Sequence, residues 1–165
     1  MNKRRLYRTW TWLRHIKPWY FMIIAIISAL VCVSNLRANN EHMVVLRNAV
    51  YSADMNNTDV QAALSHLQAY VTSHMNTSLS TGDNPVYPPI QLKYTYDRLI
   101  QAQAKNLINS PNGLTLIPNS LFKFDFISPV WSPDMAGWSL LVAILGFIMF
   151  ILKLITDAWF RHYIA

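Results

Sequence analysis

His66, Tyr70 and His74 recur every four residues, so a helix carrying them shows all three on one side, and His42 stands earlier in the chain. Imidazoles one turn apart can offer nitrogen ligands to a zinc ion. The set is short of partners, because no HExxH motif, no cysteine pair and no nearby carboxylate after Asp59 completes it. By helical angle His74 falls beside an apolar stripe, where a hydrogen-bonded packing histidine is ordinary. Asp54, Asn56, Thr58 and Asp59 space oxygen ligands as a calcium loop does. The glycine such a loop needs at its sixth position is absent, and its twelfth position is Ser65 rather than Glu. A helix-capping turn explains the same residues, so neither metal nor cofactor is expected.

Asn56-Asn57-Thr58 and Asn76-Thr77-Ser78 match the N-glycosylation acceptor pattern, which matters only in a eukaryotic secretory pathway. No GxSxG, no phosphate-cradling glycine loop and no pair of carboxylates in reach is present, and the whole chain has four glycines. An active site needs a convergent titratable set. None is visible, and the expectation is a protein that is not an enzyme.

The elements that carry these residues explain why. Apolar and aromatic residues make up 53% of the 165-residue chain and charged residues 13%, against about one-quarter charged in an average soluble chain. The net charge of +6 sits in the head, where Lys3, Arg4, Arg5, Arg8, Arg14 and Lys17 meet no acidic residue. An apolar run follows at once, so this head reads as a positive-inside topology signal and not as a nucleic-acid-binding arm. Residues 1–18 are the expected cytoplasmic leader, and 19–36 the first transmembrane helix, uncharged and long enough for a hydrocarbon core. A cleaved signal peptide fits poorly, because a cut after Ala38 leaves bulky Leu36 two residues before it. Cys32 is the single cysteine, so no intrachain disulfide can form.

Residues 37–134 are the expected extracytoplasmic domain, of about three antiparallel helices. Met43, Leu46, Val50 and Ala53 form one apolar stripe, and no breaker separates them from the first span. Thr58 or Asp59 can cap the next helix, with Gln61 completing a capping box behind Thr58. Val60, Leu64, Leu67, Val71 and Met75 stripe that helix. The stretch 80–89, STGDNPVYPP, cannot continue it. From Ile90 to Ser110 nothing breaks a third helix, with Leu92, Tyr96, Leu99, Ile100, Ala104 and Leu107 as its apolar residues. Then the period changes to two. Phe122, Phe124 and Phe126 alternate with Lys123 and Asp125, which reads as an extended return leg over 114–131 with its rings plugged into a helix groove. Leu64, Leu67 and Val71 are the expected packing surface for those rings.

Pro129, Trp131, Pro133 and Trp138 mark a second membrane interface. Residues 135–156 are the second transmembrane helix, with Lys153 able to snorkel to the inner surface, and 157–165 the short cytoplasmic tail. Small residues, Ala25, Ser28, Ala29 and Cys32 in one span and Ser139, Ala143 and Gly146 in the other, would let the two backbones approach. The absence of acidic and basic groups from Trp19 to Leu36 and from Met135 to Leu152 argues against a proton or ion path.

The run from Ser73 to Lys105, through HMNTSLS and PPIQLKYTYDRL, resembles two-span membrane proteins of Saccharibacteria, small episymbiotic bacteria. The resemblance implies a bacterial cell membrane, makes the acceptor motifs incidental and carries no activity across. Two spans around a helical module also look like a bacterial chemoreceptor sensor module, but only a short tail follows the second span. The expected protein is thus mainly α and two-span, with both termini cytoplasmic. Its outer helical bundle is expected to bind another membrane or envelope protein, or a second copy of the chain, as a scaffold or interaction subunit of a cell-envelope complex. The alternative is a small-molecule sensor with its output in a partner, for which Gln61, Gln68, Tyr94 and Gln101 would have to share a polar pocket.

Overall fold

The computed structural model describes residues 16–79, 89–107 and 118–164. Trp10 and Trp12 of the leader, the stretch 80–88, the expected stop of the third helix and residues 114–117 of the return leg lie outside them. The protein is mainly helical, and the described residues form two compact units. One is the first helix up to Asn35 together with the chain from Pro133 on; the other is Leu36–Ser132.

Helix α1, Pro18–Asn56, is continuous over 39 residues. It starts on a proline, whose missing N–H costs nothing at the first helical position, and contains no further proline and no glycine. It ends where Asn57 takes a φ of 56° and Thr58 N–H donates to the Ala53 carbonyl, 3.1 Å, a left-handed cap of the Schellman type. Helix α2, Val60–Ser73, is capped by Asp59, whose side chain accepts from Ala62 N–H at 3.0 Å. With Asp59 as the cap, Ala62 takes the third helical position. The box expected between Thr58 and Gln61 therefore does not form.

The third helix does not begin at Ile90. Ile90–Gln91 is a two-residue strand, β1, and helix α3 runs Lys93–Leu107. The cause is the return leg. After a 3-10 turn over Asn119–Phe122, strand β2, Lys123–Phe124, pairs antiparallel with β1, Ile90 opposite Phe124 and Gln91 opposite Lys123. Leu79 and Phe126 extend the pairing by exchanging backbone hydrogen bonds of 2.6 and 2.8 Å. Leu79 thus belongs to a bridge, and helix α2 stops well before it.

The core of this unit gathers Met43 and Val50 from α1, Leu64, Leu67 and Val71 from α2, and Leu79, Ile90, Leu92 and Phe126. Leu99 and Ala104 of α3 face out.

In the other unit, helix α4 is Met135–Ile164, continuing past the expected end at 156. Asp134 opens it by accepting from Gly137 N–H at 2.8 Å. Both α1 and α4 are long and apolar enough to cross a membrane, and only 11% and 6% of their most apolar windows are buried. A core helix of a soluble protein would hide most of that surface. The two helices meet where a Cβ added to Gly146 would lie 3.2 Å from the Phe21 carbonyl oxygen and 3.3 Å from Ala25 Cβ, a tight contact that a side chain could enter only if its neighbours gave by a few tenths of an ångström.

Candidate functional site

Among the described residues of the Leu36–Ser132 unit, Asp54, on α1 and 2% exposed, has a side chain bonded at several points. Its carboxylate accepts from Tyr94 N–H at 3.0 Å, Thr95 N–H at 2.8 Å and the Thr95 hydroxyl at 2.6 Å. These amides are among the donors a helix N-terminus leaves unpaired. Asp54 therefore caps α3 from across the unit, forty residues earlier in the chain, and its negative charge sits where the helix dipole favours it. Arg98 closes the joint, donating to the Asp54 carbonyl at 2.9 Å and to the Thr95 hydroxyl at 2.9 Å, with its guanidinium 3.6 Å from the carboxylate. A carboxylate so fully engaged holds two helices together and is not placed to attack or take a proton from a substrate.

The imidazoles sort differently from their sequence spacing. Tyr70 stacks on His74 with ring centres 4.0 Å apart, and His42, from α1, lies tilted against the same tyrosine at 4.6 Å. His66 is exposed on α2 and takes no part. His74 Nδ1 lies 3.0 Å from the Tyr70 carbonyl, which can only accept, so that nitrogen carries the hydrogen. Ser73 Oγ is 2.9 Å from the same nitrogen. Among the described residues no three of His, Cys, Asp and Glu gather as a metal would require. The result is a ring ladder that joins α1 to α2.

The second acceptor motif is structural as well. Asn76 has a φ of 61°, and its side-chain amide donates to the Leu36 carbonyl at 3.2 Å. Thr77 is fully buried, its hydroxyl directed at the carbonyls of Val71 and His74. Asn39 answers from α1 by donating to the Met75 carbonyl at 3.3 Å. These residues tie the end of α2 back to α1.

No protein-family model matches the chain, and no curated protein or solved structure matches it. Of the residues expected to pack, Leu64, Leu67, Val71 and Phe126 lie in the core, and Phe122 and Phe124 are half-buried against it. Phe122 meets Tyr96 edge-on at 5.5 Å, while Lys123 and Asp125 are exposed. In the α1–α4 pair Ala25, Cys32 and Gly146 are buried, and Ser28, Ser139 and Ala143 are half-buried. Ala29 is exposed, on the flank of a seam that follows the buried Ala25 and Cys32 and the half-buried Ser28. Lys153 reaches one turn towards the C-terminal end of α4. It is 5% exposed, bonded to Asp157 one turn on, and its stem helps line an apolar cavity of about 190 Å³ with Ile16, Phe21, Met149 and Leu152.

Asp54, Arg98 and Thr95 are what sequence reasoning missed. Asp54 stands beside three residues of the apolar stripe, which is a weak sign that an acid will be buried, and nothing in the sequence points it at Thr95.

Proposed function

We propose that this is a two-span membrane protein with both termini cytoplasmic. Its Leu36–Ser132 unit stands outside the cytoplasm and works by binding another membrane or envelope protein, as an interaction or scaffold subunit and not by catalysis. The span reading is supported by the lipid-like outer surface of α1 and α4 and by their polar side chains. Ser34, Asn35 and Ser139 each donate to a carbonyl four residues earlier in their own helix, which satisfies them without water.

The observation that carries the binding reading is the exposure of large apolar side chains on a unit that has satisfied its own core. Val45 is 61% exposed, Met55 56% and Leu121 64%. The sensor alternative needs Gln61, Gln68, Tyr94 and Gln101 around one ligand, and each is exposed. Photo-crosslinking residues placed in intact cells at Val45, Met55 and Leu121 test the proposal, with Gln68 as control. The expected result is a discrete protein adduct of the same identity from apolar positions and none from Gln68. Loss of adducts from all three, in a chain that still labels lipid from Ile27, would overturn the binding reading. Labelling with an impermeant thiol reagent, after Cys32→Ser, should reach Gln68→Cys and spare Asn2→Cys.

A further inference from the structure

The return leg leaves an unusual apolar loop. Val130 is 98% exposed, Ile127 72% and Trp131 42%, so three of five successive residues put large apolar groups into the surroundings. Single exposed apolar residues are ordinary, whereas a cluster with no charge asks for a partner. From Phe126 to Pro133 there is no acidic or basic residue, and Pro129 and Pro133 have no N–H. Such a segment presents few backbone donors and so loses little hydrogen bonding on leaving water.

The base of the loop is fixed to its own unit. Phe126 exchanges both backbone hydrogen bonds with Leu79, and Ser128 N–H donates to Ser78 Oγ at 3.1 Å, with the two hydroxyls 2.8 Å apart. The loop is therefore held in place while its tip points away from the core. Only Ser132, Pro133 and Asp134 separate Trp131 from the start of α4. Four virtual bonds of chain reach at most about 14 Å, so the tip cannot lie far from where that apolar helix begins.

We propose that residues 127–131 form a membrane-interface anchor, with Ile127, Val130 and Trp131 inserted into the headgroup layer of the bilayer that α1 and α4 cross. This rests on the span reading. Its partner is the lipid surface itself: aliphatic groups reach the acyl boundary, and an indole suits the headgroup level because it has an apolar body and one N–H. The anchor holds the outer unit to the membrane surface close to where the chain enters α4.

The test uses the full chain with Cys32→Ser in phosphatidylcholine–phosphatidylglycerol vesicles. Single cysteines at Val130 or Ile127 carry an environment-sensitive fluorophore, with Gln68→Cys and Leu145→Cys as the aqueous and mid-span references. The expected result at 130 and 127 is a blue shift relative to 68, severalfold weaker quenching by iodide, and strong quenching by lipids labelled with nitroxide near the headgroup. If position 130 is quenched like 68 while 145 stays lipid-quenched, the anchor is refuted and the span reading stands. Iodide reaching 145 would overturn both. Protection of 130 from iodide and nitroxide alike would mean that a second copy of the chain covers the loop, and the lipid anchor would again fail.

Discussion

Replacing Asp54 by Ala removes the acceptor for three hydrogen bonds and leaves the start of α3 uncapped. The cost can be worked from the geometry. A hydrogen bond to a charged group contributes about 1.5–3 kcal/mol, and an orphaned buried donor costs at the upper part of that range. Tyr94 is exposed, so its amide can turn to water; Thr95 is half-buried and its two donors cannot do so fully. The ion pair with Arg98 adds little, because that side chain is 36% exposed and the pair is 3.6 Å apart. Arg98 also keeps its bond to the Asp54 carbonyl, which Ala retains. The expected loss is about 2–4 kcal/mol, more than an ordinary cap removal of about 0.5–2 kcal/mol. Asp54→Asn keeps the shape and one acceptor but turns an amide N–H₂ towards a donor, for about 1–2 kcal/mol. Thr95→Val, losing the 2.6 Å bond to Asp54 and the 2.9 Å bond accepted from the half-exposed Arg98, should cost about 1–2 kcal/mol. Thermal melting of the full chain in micelles reads the order. For a domain of this size about 4–8 °C accompanies each kcal/mol. Amide exchange at Tyr94 and Thr95 localises the effect. An Asp54→Ala melt within the error of the exposed control Asp97→Ala, or a larger loss from Thr95→Val than from Asp54→Ala, would refute the capping argument.

Two further outcomes follow from the packing. Phe126→Ala should destabilise the Leu36–Ser132 unit by about 3–5 kcal/mol, since this ring is in the core. The half-buried Phe122 and Phe124 should cost less, Lys123→Ala should cost less than about 1 kcal/mol, and melting curves of the four variants check the ranking. In the helix pair, Gly146 and Ala25 approach within disulfide reach, a Cβ at 146 lying 3.3 Å from Ala25 Cβ. Ala25→Cys with Gly146→Cys and Cys32→Ser should therefore cross-link on mild oxidation, visible as a faster-migrating band, whereas Ile27→Cys with Gly146→Cys should not.

Local patterns carried far in the sequence, and long-range pairings did not. The stripes Met43–Val50 and Leu64–Leu67–Val71 are visible because a helix repeats its buried face within four residues. The unbroken run from the first span to Asn56 is visible for the same reason. The alternation of Phe122, Phe124 and Phe126 points to an extended leg, but its partner, Ile90–Gln91, lies more than thirty residues away and reads locally as the start of a helix. Pairing with Lys123–Phe124 overrides that preference. The start of α3 was hidden because its cap comes from Asp54, across the fold. A choice between Thr58 and Asp59 as the cap of α2 turns on backbone angles at Asn57, whose φ of 56° the residue types permit without requiring.

Polar side chains bond back along their own helix in both units. The units differ in which surfaces they expose and in whether buried polar groups join separate elements, which supports the proposal of a chain that serves two solvents. In the α1–α4 pair the polar side chains return to carbonyls of their own helix, Lys153 finds Asp157 one turn away, and the large apolar groups point out. Such local satisfaction is what hydrocarbon demands, since no water is there to replace a lost partner. In the Leu36–Ser132 unit the buried Asp54 bonds across to α3 and the half-buried Asn39 to the end of α2, while Gln, Ser and Asn cover much of the outside. That arrangement suits water, where exposed polar groups cost nothing and buried ones can specify which helices meet. Helix α1 takes part in both, and it has no glycine or proline at which to change direction. On the proposed two-span reading the change of solvent falls within one uninterrupted helix, where Leu36 ends the uncharged run and Arg37 begins the next. A single charge placed five residues earlier, Cys32→Arg, would meet the buried seam and not water, and its cost would measure how sharp that boundary is.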